Sequence, residues 1–325
     1  MKLRACALAL ASIVFVSPVS VLAQEQQAAP PSVPPAAAGE TVDLAYGAFQ
    51  QGHYLTAYAL ATKRIEEHKD PKAMTLVAEL LANGLGVKRD EKRAAYWYDL
   101  AAKAGDREAA YALALLYLDG RGVKANREEA RRLLEAAAAR GHGRAAFNLA
   151  LLYIEGKAVP RDVAAAARWL RVGAEQDIPD AQHALAILYK DGDGVKQDPA
   201  EAARWLERAM KLDHIPATIE YAIMLFNGEG IAKDEARAAA LFKQAALQGN
   251  PVAQNRYARV LATGRGVAQD SVEACAWHLL ARGQSISDPM LDRVCDTLAP
   301  QAREAAAARV KTWLKGTQAP DPHRS

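Results

Sequence analysis

Glycine recurs every 36 residues along most of this chain, and no other feature limits its fold as strongly. Six glycines keep that spacing without an insertion or deletion: Gly84, Gly120, Gly156, Gly192, Gly228 and Gly264. A second glycine follows two residues later in five of the six copies, and Ala158 stands there in the remaining one. A fixed period of this length indicates structural units stacked into an elongated array.

Further columns keep the same register and predict two helices in each unit. Alanine stands eleven and six residues before each glycine and ten residues after it, from Ala73, Ala78 and Ala94 onward. A large apolar column stands 13 residues after it: Trp97, Leu133, Trp169, Trp205, Leu241 and Trp277. Apolar residues at helical spacing predict helix A before the glycine and helix B after it. The predicted fold class is therefore all-α, an α-solenoid of antiparallel helix pairs.

The turn between the two helices has a local physical basis. The glycine ends helix A in the left-handed conformation, which other residues adopt at a cost. An acidic or amide residue then stands where helix B begins and is predicted to cap its free N–H groups. That column reads Asp90, Asn126, Asp162, Asp198, Asp234 and Asp270. The tryptophan column is predicted to fill the space between neighbouring pairs.

The repeat divides the rest of the chain into predicted segments. Six repeats occupy residues 69–288, and a helical hairpin at 41–68 precedes them. A C-terminal helical cap is predicted at 289–316, where Trp313 keeps the 36-residue spacing from Trp277. Residues 317–325 are predicted to be a disordered tail. Both ends need such caps because a terminal pair would otherwise expose its apolar stripe.

The N-terminus has the composition of a signal peptide, predicted at residues 1–23. Lys2 and Arg4 precede an apolar stretch, and Val21-Leu22-Ala23 offers small residues at a cleavage site. A retained membrane anchor is the alternative. Residues 24–40 form a Pro/Ala-rich linker that is predicted to be disordered. A periplasmic or secreted protein is expected, with no membrane span once the signal is removed.

The repeat motif resembles the Sel-one-like repeat, a relative of the tetratricopeptide repeat. The agreement is best in the repeat that contains Ala181, Ala186, Tyr189, Gly192, Gly194, Val195, Asp198, Ala202 and Trp205. The resemblance implies a right-handed superhelix that acts as a protein-interaction scaffold. It also implies adaptor roles in envelope, polysaccharide or host-contact functions for exported bacterial members. Some exported members bind or hydrolyse β-lactams.

Catalytic and cofactor chemistry find little support in the sequence. No serine or cysteine occurs between residues 33 and 270, which argues against a serine hydrolase. The seven histidines show no metal-binding spacing, so neither a metal nor a cofactor is expected. The net charge is +3 and falls to +1 without Lys2 and Arg4, which argues against nucleic-acid binding. The protein is predicted not to be an enzyme.

A partner is predicted to bind where the repeats differ from one another. In tetratricopeptide-like superhelices the A helices line the concave side. The positions eight, five and one residues before the repeated glycine share one face of helix A. The candidate residues are Asn148, Leu151, Glu155, Ile187, Asp191, Glu220, Ile223, Asn227, Arg256 and Arg259. This face suits a peptide with apolar anchors and a polar rim. The alternative is that its apolar members, Leu151, Ile187 and Ile223 among them, pack against helix B.

Two cysteines remain after removal of the signal, and two states are open to them. Cys275 lies in helix B of the last full repeat, and Cys295 shares a helical face with Leu291 and Leu298 in the following cap. Antiparallel helices could bring them within reach of a disulfide bond. Buried free thiols are the alternative.

The predicted function is an exported scaffold or adaptor that binds a protein or peptide partner along the concave face. The protein is expected to be a monomer. Two alternatives remain: an accessory protein of an envelope polysaccharide pathway, and a β-lactam-binding or hydrolysing protein.

Overall fold

Helices account for all of the regular structure in the described chain, which in this computed structural model comprises residues 43–157 and 159–315. In order they are α1 (Leu44–Gln50), α2 (Tyr54–His68), α3 (Pro71–Asn83), α4 (Glu91–Lys103), α5 (Arg107–Asp119), α6 (Arg127–Ala139), α7 (Gly143–Glu155), α8 (Val163–Glu175), α9 (Pro179–Asp191), α10 (Pro199–Lys211), α11 (Ile215–Asn227), α12 (Glu235–Leu247), α13 (Pro251–Thr263), α14 (Ser271–Arg282), α15 (Pro289–Thr297) and α16 (Pro300–Lys315). The predicted signal peptide (1–23), linker (24–40) and tail (317–325) lie outside the described residues.

The twelve helices from α3 to α14 form six A–B pairs, and each helix packs mainly on the helices before and after it in the chain. The predicted solenoid of helix pairs with a 36-residue repeat is confirmed. The hairpin of α1 and α2 precedes the pairs, and α15 and α16 follow them.

Local signals set the ends of these helices as predicted. All six A helices end at the repeated glycine, with φ between 67° and 75°. Each B helix from α4 to α14 begins after a side-chain cap; Asp198, for example, accepts a hydrogen bond from the Glu201 N–H at 3.0 Å. Asn126 accepts from both Glu128 and Glu129, so it also caps its helix. A cap of this kind contributes about 1 kcal/mol.

The repeated columns form the core between helices. The alanines six residues before each glycine are fully buried: Ala78, Ala114, Ala150, Ala186, Ala222 and Ala258. Trp205 and Trp277 are buried as well, with 6% and 1% of their surface exposed. Leu133 and Trp169, from the same column, are half-buried and each contacts two core clusters. This column therefore joins the hydrophobic core of one repeat to that of the next.

Candidate partner-binding face of the A helices

The ten residues predicted to bind a partner lie on four A helices, and none of them is buried. We call them the A-helix row: Asn148, Leu151 and Glu155 on α7, Ile187 and Asp191 on α9, Glu220, Ile223 and Asn227 on α11, and Arg256 and Arg259 on α13. Their helix neighbours Leu149 and Leu152, by contrast, are buried. The row thus follows a side of the A helices that is at least partly open to solvent.

Polar members of the A-helix row bind side chains of neighbouring repeats. Lys190 Nζ lies 2.7 Å from Glu220 Oε2 and links α9 to α11. Arg127 Nη1 lies 3.0 Å from Glu155 Oε2. Half-exposed ion pairs contribute at most about 1 kcal/mol each. These contacts therefore orient the polar side chains along the row more than they stabilise the array.

A cavity of about 330 Å³ lies at the C-terminal end of the row. Four members of the row line it: Ile223, Asn227, Arg256 and Arg259. The remaining lining residues are Phe226, Phe242, Val260, Thr263, Arg265 and Met290. Ile223 also packs against the core. Helices α11, α12, α13 and α15 thus enclose a cavity that has both apolar and cationic walls.

The two arginines of the row differ in their partners. Asp288, which is 4% exposed, accepts hydrogen bonds from Arg259 Nε at 2.6 Å, Arg259 Nη2 at 3.2 Å and Asn255 Nδ2 at 2.9 Å. Its carboxylate also caps α15 by accepting from the Met290 N–H. Burial would raise the pKa of Asp288, but these donors hold it well below its usual range. Arg259 is therefore tied to the C-terminal cap, whereas Arg256 has no ion-pair partner among residues 43–157 and 159–315.

Two histidine rings meet near the middle of the array, a contact that the sequence did not predict. The ring centroids of His183 and His214 lie 5.0 Å apart. His214 caps α11, since its Nδ1 accepts from the Ala217 N–H at 3.1 Å. Burial, together with the nearby His214, lowers the pKa of His183 to about 4.

Acidification is expected to destabilise the array through His183. Its pKa is lowered in the folded protein, so the unfolded chain takes up the proton first as the pH falls below the ordinary histidine value of about 6.5. The stability that the neutral ring contributes is complete above that pH and is lost progressively down to the folded pKa. Between pH 7 and pH 4.5 the loss should be about 2 kcal/mol in the free energy of unfolding. In urea titrations, His183→Gln should reduce this loss and His68→Gln, at an exposed position, should not; equal losses in both would contradict the assignment.

Cys275 and Cys295 are joined by a disulfide bond, with their Cα atoms 5.2 Å apart. Cys275 is 2% exposed on α14, and Cys295 is half-buried on α15. The bond links the last full repeat to the C-terminal cap.

Cys275 and Cys295 are expected to be bonded to each other in the purified protein. A cross-link over 20 residues contributes about 3 kcal/mol by restricting the unfolded chain. Reduction should therefore lower the melting temperature. Thiol labelling of denatured, unreduced protein provides the direct measurement, and free thiols at Cys275 and Cys295 would contradict the expectation.

Residues 43–157 and 159–315 contain no group of three or more His, Cys, Asp or Glu side chains placed to hold a metal ion. Over the same residues, no helix combines the length and hydrophobicity needed to cross a membrane.

Several residues of the cavity were missed in the sequence. Phe226 and Phe242 are apolar residues within the repeats and carry no signal of a site, and Met290 lies in the cap outside the repeats. The Asp288-Pro289 pair does carry a local signal, because aspartate before proline is typical of a helix start. That signal predicts where α15 begins, but it does not reveal that the same carboxylate binds Arg259.

The six stacked helix pairs make this protein a helical-repeat solenoid, and the A-helix row runs along its A helices. The chain belongs to the Sel1 repeat family: that repeat matches residues 71–106, 107–142, 143–178, 179–214, 215–250 and 251–284. The Sel-one-like resemblance is therefore confirmed. Proteins of this family are typically scaffolds that bind other proteins.

Two solved structures are similar to this chain. One is c5321, described as a protective antigen present in uropathogenic Escherichia coli strains and displaying an SLR fold; it matches with a TM-score of 0.75 and 28% identity, over 85% of this chain and 61% of that chain. The other is a Sel1 repeat protein from Oxalobacter formigenes, with a TM-score of 0.66 and 25% identity, over 74% of this chain and 98% of that chain. The chain thus spans less than two thirds of c5321. No curated protein matches it in sequence.

Proposed function

We propose that this protein is an exported scaffold that holds an extended segment of a partner protein along the A-helix row, on the concave face of the solenoid. One observation carries the proposal: the row stays unburied on four successive A helices and ends in a cavity. Half-exposed apolar side chains such as Leu151 and Ile187 supply anchors, and charged side chains supply a rim. This combination is typical of grooves that bind peptides.

Site-specific photo-cross-linking tests the location of the partner. A photoreactive amino acid at Asp191, an exposed member of the row, should form adducts with a partner in cell envelopes. The same group at Arg168, exposed on helix B of a neighbouring pair, is the matched control and should form none. Adducts from Arg168 and none from Asp191 would place the partner on the opposite face.

The proposed export depends on the N-terminal sequence, since residues 1–42 lie outside the described part of the chain. Cleavage after Ala23 would leave Gln24 as the first residue. Mass spectrometry of the protein purified from an envelope fraction should find that N-terminus. Protein that retains Met1 or Lys2 would contradict export by this route.

The absence of catalysis is part of the same proposal. The β-lactam alternative predicts turnover of nitrocefin, whereas the scaffold predicts a rate equal to that of buffer. A rate of nitrocefin hydrolysis that rises in proportion to the concentration of purified protein would show that the protein is an enzyme and would contradict the proposal.

A further inference from the structure

One arginine in the cavity has a buried donor without an acceptor. The Nε of Arg256 is shielded from solvent and forms no hydrogen bond within residues 43–157 and 159–315. A guanidinium group stays protonated at any physiological pH. A buried donor that lacks a partner is unfavourable, and the cost is larger for charged groups. Because Arg256 lines the cavity, an anionic group that enters it would form a charge-assisted hydrogen bond with the guanidinium group.

The other two arginines that line the cavity already have acidic partners. Arg259 binds Asp288 through two nitrogens. Arg265 binds Glu235, and its guanidinium carbon lies 4.0 Å from the ring centroid of Phe226. The cavity lining itself contains no acidic residue. The charge of Arg256 is thus the unmatched one among the three, which favours an anionic ligand.

The apolar walls restrict what kind of anion fits. Ile223, Phe226, Phe242, Val260 and Met290 contribute hydrocarbon surface to the cavity. A volume of about 330 Å³ lies at the small end of ligand cavities and accommodates roughly one or two side chains. A carboxylate on a short hydrocarbon stem meets both requirements, because the stem contacts the walls while the oxygens accept from Arg256. Ile223 and Asn227 belong to both the row and the cavity, so a chain that follows the row reaches it.

We propose that this cavity receives a glutamate or aspartate side chain of the partner, next to a large apolar residue that contacts Ile223 and Phe226. Arg256 is the residue that binds the carboxylate. The inference rests on the proposed function and specifies the chemistry of the segment that the row would hold.

Selection from displayed random peptides on the full-length mature protein tests the inference. One library fixes the random segment inside a longer chain, and a second places it at a free C-terminus. Peptides enriched from the first library should carry Glu or Asp beside Leu, Ile, Met or Phe. Arg256→Gln should weaken their binding about tenfold or more, as expected when one partner of a shielded ion pair is lost. Arg168→Gln removes an exposed arginine from helix B and should leave the affinity unchanged.

Other outcomes would overturn the inference. The inference fails if the enriched peptides lack acidic residues, if peptides are enriched only from the free C-terminal library, or if neither library yields enriched peptides. It also fails if the enriched peptides bind Arg256→Gln as tightly as the unmodified protein. Apolar peptides whose binding is lost in Ile187→Lys would leave the proposed function standing while refuting the acidic ligand. If acidic peptides bind through Arg256 but Asp191 forms no adducts in the envelope, the acidic ligand would stand and binding along the rest of the A-helix row would be refuted.

Discussion

Replacement of Gly230 by alanine is expected to lower the free energy of unfolding by about 2–5 kcal/mol, the sum of backbone strain and overpacking. Gly230 is the second glycine of its turn and has φ of +67°. A Cβ added there would lie 2.3 Å from both the carbonyl carbon and oxygen of Pro199, in the first turn of α10. The clash involves the backbone of the preceding repeat, so a side-chain rotation cannot relieve it. The two repeats would have to move apart.

Gly249→Ala is the matched control for that prediction. Gly249 also has a positive φ, +85°, but no heavy atom lies within 4 Å of an added Cβ. Its replacement should therefore cost only the backbone strain, about 1–2 kcal/mol. Urea unfolding of both variants measures the difference. Equal losses would mean that the repeats are not held as closely as the structure places them.

Trp277→Ala is expected to destabilise the protein by about 3–5 kcal/mol, as truncation of a buried aromatic side chain does. The indole is 1% exposed, and its ring centroid lies 4.5 Å from that of Trp313 and 5.7 Å from that of Tyr257. Its Nε1 donates a hydrogen bond to Glu273 Oε1 at 3.2 Å. Loss of the ring would remove one of the contacts that hold α16 on the last full repeat, the one to Trp313. Limited proteolysis should then cleave within α16 before the rest of the array.

Trp97→Ala provides the comparison within the same repeat column. Trp97 is half-buried, and its ring packs edge-on against the exposed Tyr96. Less surface is returned to water when this side chain is removed, so the loss should be smaller than for Trp277. A larger loss at Trp97, or no early cleavage in α16 after the Trp277 change, would contradict the role of Trp277 in the C-terminal cap.

Helix ends could be predicted from the sequence because their signals are local. Gly228 ends α11 through its own positive φ, and Asp234 caps α12 by accepting from an N–H three residues away. Such contacts depend on a few consecutive residues and hold in almost any tertiary setting. The alanine columns also had one physical meaning, since a small residue repeated at one position marks a close contact between helices.

The surroundings of the A-helix row, which we propose as the binding face, could be predicted from the sequence only in part. The offsets placed Arg256 and Arg259 together at the end of the row, where they looked equivalent. In the structure Arg259 binds Asp288, which lies 29 residues further along and caps α15. No local pattern distinguishes the paired arginine from the unpaired one, because the distinction depends on how the C-terminal cap sits against α13.

The sequence by itself determines the 36-residue period, the helix pairs, the helix caps and the side of the A helices that carries the row. Each of these arises from side chains a few residues apart or from their repetition. Only the tertiary structure decided that the second glycine of a turn contacts the preceding B helix, as Gly230 contacts Pro199. It also brought His183 against His214 and left Arg256 Nε without a hydrogen-bond partner within the described residues. The two contacts, Gly230 with Pro199 and His183 with His214, each join residues 31 positions apart. They depend on the angle and spacing between stacked pairs, which the whole core sets together.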